Sequence, residues 1–551
     1  MKLSHLISAL SLLAFSAPLA AQDSTMTPPS RITTEEIDAH LRFLSSDLLE
    51  GRAPGTRGGR LAAEYIAAQL EAFGLKPGGS DSSYFQRVPI DVVKSDPSTI
   101  SVKASGKANA TLASPTDVVV WAGSANPVSN ANGELVYVGY GVNAPEYKWD
   151  DFKNVDLHGK ILLALVNDPP ATPSEPNLFG GKAMTYYGRW TYKYEEAERR
   201  GAAGMLIVHR TVPAGYPWQV VVSSNVGAHR LLPRDPKLPP PIGVSGWITD
   251  SAATALLAQA GLDLEKLRKD AESRSFRPVP TGITLDMSLR NSLEHLNTEN
   301  VIGLVQGIDP KVRDEYVTYS AHWDHFGIGL PVNGDSIYNG AADNASGVAT
   351  VLAIAHSAAE GVKPRRSQMF IFVTAEEAGL LGSEYFGEHP PVPTTKIIAN
   401  INVDNPGLFG RFRTLQVLGD NKSSLGPALA AMVRPEGITF SPDEHPEAGH
   451  FYRSDHFSFA KVGIPAIDVK GGLDIVGRPA GYGRQQADDY TAHRYHQPSD
   501  NYSTSMDLTG AAQLAEIVYR FGFSVANADT IPTWNADAEF RAAREAALRN
   551  K

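Results

Sequence analysis

From Asn300 onward the chain alternates short apolar runs with helical stretches, and this alternation restricts the fold more than any other feature. Runs at 301–305, 316–320, 369–374, 397–403 and 466–469 read as strands, and 346–359, 378–386 and 510–521 read as helices. Continuous apolar strands are those covered on both faces, and intervening helices allow neighbouring strands to run parallel. The expected fold is therefore α/β, a mostly parallel sheet sandwiched by helices. Ligands in such sheets collect just beyond the carboxyl ends of the strands.

Histidines and acids stand at such positions. His322 and Asp324 follow the run 316–320 in Ser-Ala-His-Trp-Asp-His, and the adjacent His325 reads as a surface histidine. Asp343 lies in Gly340-Ala-Ala-Asp-Asn-Ala-Ser-Gly347, just before an apolar helix that Asn344 or Ser346 could cap, which leaves Asp343 for another task. Glu376 and Glu377 follow 369–374, and adjacent carboxylates repel unless a cation is near, although a helix first turn also favours acids. Asp404 follows 397–403, and His496 lies in the polar loop Tyr-His-Gln-Pro-Ser-Asp. Singly, each residue is as readily structural. Together, two histidines and three carboxylates (His322, Asp343, Glu377, Asp404, His496) suit two zinc ions if one carboxylate bridges, and Glu376 is left to shuttle protons.

Composition removes several rival classes. The 551 residues exceed one compact core, so two or three domains are expected. A net charge of -10, from 60 acidic and 50 basic residues, disfavours nucleic acid or an anionic membrane as partner. No cysteine is present, which excludes thiolate metal sites and a cysteine nucleophile. Residues 1–21 follow the signal-peptide pattern, with basic Lys2, an apolar run at 6–15 and small residues at Ala20 and Ala21. Export to the periplasm or beyond the cell is expected, with no integral membrane segment in the mature chain.

Residues 33–75 look helical, with Leu61, Tyr65, Ile66, Leu70 and Phe73 on one face and Gly74 as the stop. Glu50 to Gly55 is a turn-rich loop between the two helices. From about 110 to 281 short β-type runs at 135–140, 161–166 and 205–208 are broken by Pro and Gly, with one helical stretch at 194–200. The region has no convergent cluster of His and acids.

Taken together, these motifs resemble the co-catalytic di-zinc aminopeptidases, a family that also holds glutamate carboxypeptidases and non-catalytic transferrin-receptor ectodomains. The matching residues are Ala321-His322-Trp323-Asp324, Gly340 to Gly347, Glu376 to Ser383, Asn402-Val403-Asp404, Ser454-Asp455-His456 with Gly463 to Ala466, and Tyr495-His496. The stretch Val155 to Lys160 and Gly201 to Gly204 resemble a protease-associated domain inserted in the peptidase. The resemblance implies a signal peptide at 1–21, peptidase parts at 22–110 and 282–528, a β-rich insert at 111–281 and a tail or helix at 529–551. It implies two zinc ions per chain: Asp343 would bridge them, His322 and Asp404 would complete one site, Glu377 and His496 the other, and Asp324 would orient His322. Glu376 would act as base and then acid on peptides with a free N-terminus. Tyr452 and Tyr482 are candidates, by position alone, for a donor to the oxyanion.

Three rivals share the fold. A receptor-like binding protein would have lost ligands that this chain keeps. A glutaminyl cyclase would use one zinc. A carboxypeptidase would clamp a substrate carboxylate with cations, for which Arg453 and Arg484 are available. Side-chain specificity and oligomeric state stay open.

Overall fold

A computed structural model of the protein describes residues 30–549 except 235, 236, 238 and 239. The expected signal segment lies outside the described residues. Among the described residues, no helix is long and apolar enough to cross a membrane.

The peptidase half is built on a twisted sheet. Its middle is four parallel strands in the order Ser367–Val373, Tyr316–His322, Ile397–Asn402 and Ala466–Gly471. On one side the strand Val279–Val305 adds antiparallel to Ser367–Val373, and Phe85–Ser95 adds beyond it. On the other side Thr414–Leu418 runs antiparallel to Ala466–Gly471, with Thr439–Ser441 beside it. The last two strands carry no uninterrupted apolar run, because the sheet edge needs only alternate burial.

Helices cover both faces. Thr34–Leu44, Arg57–Ala72, Ser346–Glu360 and Thr509–Asn527 share one apolar core with Val317, Tyr319, Phe370, Phe372 and Ile401. The other face packs Met369, Ile371 and Val373 against Phe386, Phe459 and the C-terminal Trp534 and Phe540. The chain is thus an α/β protein with a mostly parallel sheet. Two details differ from the sequence expectation. Leu61 is 38% exposed, and Ala62 and Ala63 turn inward beside the expected Ile66 and Leu70 instead. The helix expected at 378–386 begins later, at Leu381–Glu388, because the amides of Gly379 and Leu380 both donate to the Glu376 carbonyl in a tight turn.

A second, β-rich region has its own sheet and core. The strand Val279–Val305 is shared: its first half pairs with Ser101–Gly106 and Val128–Tyr137, and its second half with the peptidase sheet. Val128–Tyr137, Ile161–Leu165, Gly204–His209 and Val244–Thr249 follow in parallel steps. The boundary expected at 281/282 falls inside the shared strand, and that at 110/111 inside the short strand Ala110–Thr111.

Candidate metal centre and active site

Parallel register sets the site. His322 ends its strand opposite Val373, and Ser320 stands opposite Asn402, so the segments that follow all three strands leave the sheet at one edge. Glu376 and Glu377 follow Val373, Asp404 follows Asn402, and Asp343 lies in the segment ahead of the helix Ser346–Glu360. His496 arrives from the loop after Tyr482–His493.

The central residue is Asp343. Its Oδ1 is 3.3 Å from Nε2 of His322, and its Oδ2 is 3.3 Å from Nε2 of His496. His322 Nε2 is also 3.7 Å from Asp404 Oδ1, and His496 Nε2 is 3.3 Å from Glu377 Oε2. The five residues singled out from the sequence therefore lie together, with one carboxylate between two histidine–acid pairs.

Supporting side chains hold this geometry. Asp500 accepts from the amides of Ala342 and Asp343 at 3.0 and 3.1 Å, and from the Tyr490 hydroxyl at 3.2 Å. Asn344 Oδ1 takes the amides of Gly347 and Asn405, both at 3.0 Å, and its Nδ2 donates to Val403 O. Gly347 is required by this close approach, since a Cβ there would meet Asn344 Oδ1 at 2.1 Å. Ser454 Oγ donates to Asp404 Oδ2 at 2.8 Å. Asp324 takes the amides of Glu376 and Glu377 on its two oxygens, at 3.0 and 3.4 Å. Its carboxylate is 3.8 Å from His322 Nδ1, and its own carbonyl oxygen is nearer, at 3.2 Å.

Three residues have places that the sequence did not suggest. His325 is 1% exposed, not at the surface, and its Nδ1 lies 2.7 Å from Glu377 Oε1 without the alignment of a hydrogen bond. Gly340 lies against its ring, where a Cβ would come within 2.6 Å, and Phe326 packs edge-on at 4.9 Å; its position next to His322 gave no signal of that. Tyr495 stacks on His496 at 3.8 Å and lines the groove above the centre. Tyr452 instead donates to Glu539 at 2.6 Å in the core, and Tyr482 lines a neighbouring hollow with Tyr490 and Arg494.

Arg52 is the third. The loop Glu50 to Gly55 is not peripheral, for Arg52 is 1% exposed beneath the site. It donates to the carbonyls of Leu44 (2.6 Å), Trp323 (2.8 Å), Asn339 (2.5 Å) and Gly340 (3.0 Å), tying together the His322 and Asp343 loops. Arg52→Met strips a donor from four carbonyls, and each buried unmet acceptor costs about 1–3 kcal/mol. A fall in the chemical-denaturation midpoint equivalent to about 3 kcal/mol or more is expected; an unchanged midpoint would show that the arginine is not a brace.

Electrostatics tests whether these residues suit metal ions. Burial pushes Glu376 and Glu377 well above the usual carboxylate range; the charges of Asp343, Asp404 and Asp455 add to Glu376, while His322 opposes. Burial also raises Asp343, but hydrogen bonds from His322 and His496 outweigh it and hold it well below that range. Four acids gathered in so small a buried volume call for cations. Ligand atoms ~2.0–2.2 Å from a tetrahedral zinc lie ~3.3–3.6 Å from one another, close to the 3.3–3.7 Å nitrogen–oxygen separations above. Glu377 Oε1 is buried with no hydrogen-bond partner. Ligand atoms within 4.8 Å of one another also group as His322, Glu376 and Asp404, and as His325, Asp343 and Glu377, which makes two candidate metal sites.

The mostly parallel α/β sheet thus carries paired His–carboxylate groups beyond its carboxyl edge, which make up two candidate metal sites. Residues 300–522 match Peptidase family M28. Aminopeptidase NAALADL1 of Rattus norvegicus is 36% identical over 132 residues, 23% of this chain and 16% of that protein. The probable leucine aminopeptidase 2 of Aspergillus oryzae is 28% identical over 257 residues, 44% of this chain and 47% of that protein. The chain thus spans less than half the length of these curated relatives. Among solved structures, the aminopeptidase from Aneurinibacillus sp. strain AM-1 covers 89% of this chain and 93% of its own, at 21% identity and a TM-score of 0.46.

Proposed function

We propose that the protein is a di-zinc aminopeptidase that removes N-terminal residues from peptides. The observation that carries this reading is Asp343, whose two oxygens each face a different histidine while Glu376 stands beside it in the same groove. Asp343 would be shared by two zinc ions, with His322 and Asp404 on one and Glu377 and His496 on the other. Bound there, zinc supplies Lewis acidity, which acidifies a water and polarises the scissile carbonyl.

The rest is the work of side chains. Glu376, its carboxyl raised by burial, takes a proton from the attacking water and returns it to the departing amine. Tyr495 lines the groove and its hydroxyl has no hydrogen-bond partner among the described residues, so it is a better donor to the oxyanion than Tyr452 or Tyr482. The acidic floor of the groove, Asp343, Glu376 and Asp404, favours a substrate ammonium. Export forms part of this reading, on the strength of Lys2 and the apolar run at 6–15.

Metal analysis with a panel of free-amine aminoacyl amides, their N-blocked analogues and carboxyl-terminal reporters tests the assignment. About two zincs per chain, cleavage of free-amine substrates alone, and loss of activity in chelator that zinc restores are expected. Turnover of N-blocked peptides with release from the carboxyl end would move the protein to a carboxypeptidase.

A further inference from the structure

Of the two histidines that face Asp343, only one is oriented by the protein backbone. His322 ends a strand, is 1% exposed, and its Nδ1 lies 3.2 Å from the Asp324 carbonyl oxygen. A metal-binding imidazole usually donates its second nitrogen in this way, which fixes the ring and its tautomer. His496 lacks that support. Its side chain is 33% exposed, and its Nδ1 forms no hydrogen bond among the described residues. Its backbone stands in the left-handed region at φ 58°, which a residue with a side chain adopts at a cost. Other groups must therefore set the direction of its Nε2, which lies 3.3 Å from both Asp343 and Glu377.

Two aromatic rings are placed to do so. Tyr495 stacks on the imidazole, with ring centres 3.8 Å apart and planes at 27°. Phe326 meets the same imidazole at 4.7 Å and 66°, the edge-to-face arrangement that aromatic quadrupoles favour. It also meets His325 at 4.9 Å and Tyr338 at 6.2 Å, whereas it has no ring contact with His322. Phe326 is 42% exposed, so packing in the core does not explain its place. Its base is nevertheless fixed. Gly327, the next residue, stands at φ 77° and so close to the Glu50 to Gly55 loop that a Cβ would meet that of Ala53 at 2.6 Å. The ring thus leans on His496 from the loop that Arg52 ties to the site.

We propose that Phe326 is a positioning residue of the metal centre: with Tyr495 it clamps the His496 imidazole, and so sets the metal affinity of the Glu377–His496 pair but not that of the His322–Asp404 pair. The proposal rests on the two-metal reading and deepens it. One ring lies along the face of the imidazole and the other meets it at an angle, so rotation of the imidazole in either sense runs into a neighbour. The two rings do for His496 what the Asp324 carbonyl does for His322, and they leave Nδ1 free to face water.

Metal content of the full chain, dialysed against zinc buffers of graded free concentration, tests the clamp. Wild type is expected to fill about two ions per chain. Phe326→Ala should weaken one of them about 10–100-fold, the range that residues supporting a metal ligand contribute, and leave the other unchanged. Phe326→Tyr, which keeps the ring, should restore the affinity. In a His496→Ala background Phe326→Ala should change nothing further, because the ring acts only through that imidazole. A loss shared by both ions, no loss at all, or a loss that persists without His496 overturns the clamp. A second readout needs no metal. Ring currents of Phe326 and Tyr495 displace the magnetic resonances of the His496 ring protons, so these signals should move in Phe326→Ala and return in Phe326→Tyr. Unmoved signals overturn the clamp as well. A wild type that holds no zinc refutes the di-zinc reading, and the His496 signals then decide the clamp alone.

Discussion

Glu376→Gln is expected to leave about two zincs per chain in place while kcat falls by about 10²–10⁴-fold, the range that a positioned acid–base group contributes. Glutamine keeps the size of the side chain and its capacity to hydrogen-bond, but it cannot accept and return a proton. The position suits a proton carrier. Burial and the charges of Asp455, Asp404 and Asp343 favour the protonated acid and outweigh His322, which favours the anion, so the carboxyl is held well above its usual range. KM should move little, because the lost interaction is made in the transition state. Kinetics and elemental analysis on the same sample decide the role. Because Glu376 also falls in a cluster with His322 and Asp404, it has a rival role as a metal ligand. Zinc content falling in step with kcat would establish that role, and unchanged kcat at full zinc would remove the residue from the mechanism.

The sheet and the positions of these acids were legible for the same reason. Parallel strands buried on both faces are mostly apolar, so a histidine or acid at the end of such a run announces the carboxyl edge. His322, Glu376, Glu377 and Asp404 are all marked in that way. His325 was not, because only the path of the loop after His322 decides whether the next histidine turns inward. Arg52 was hidden for a different reason. Its Glu-Gly-Arg-Ala-Pro-Gly surroundings read as a surface turn, yet Gly51 at φ 69° lies so close to Gly327 and Tyr338 that a Cβ would meet their carbonyls at 2.6 Å. A turn pressed that tightly into the body of the protein carries its arginine with it. The strand Val279–Val305 was only partly visible, since its alternating half belongs to one sheet and its apolar end to another. Tyr495 was quoted with His496 in the motif but given no role, because that role comes from stacking on His496 and from a groove wall assembled by distant segments.

Asp343→Ala should lower metal content from about two ions per chain towards none and abolish turnover with it. The reason lies in the sharing of one side chain. Removal of Asp404 or His496 would take a ligand from one His–carboxylate pair, but Asp343 places an oxygen 3.3 Å from the histidine of each. Its loss also separates the pairs electrostatically, leaving His322 with Asp404 and His496 with Glu377 as isolated two-residue sites. Affinity should therefore fall by more than the about 10–100-fold produced by changes outside the ligand shell. The fold should persist, because the backbone around Asp343 is held independently by Asp500, Asn344 and Arg52. Circular dichroism, zinc titration and activity measured together separate the outcomes. A folded variant that retains both ions would show that Asp343 is not shared, and one that retains a single ion would place it in one site only. Which pair keeps that ion would then follow from adding His322→Ala or His496→Ala, since only one of them would empty the remaining site.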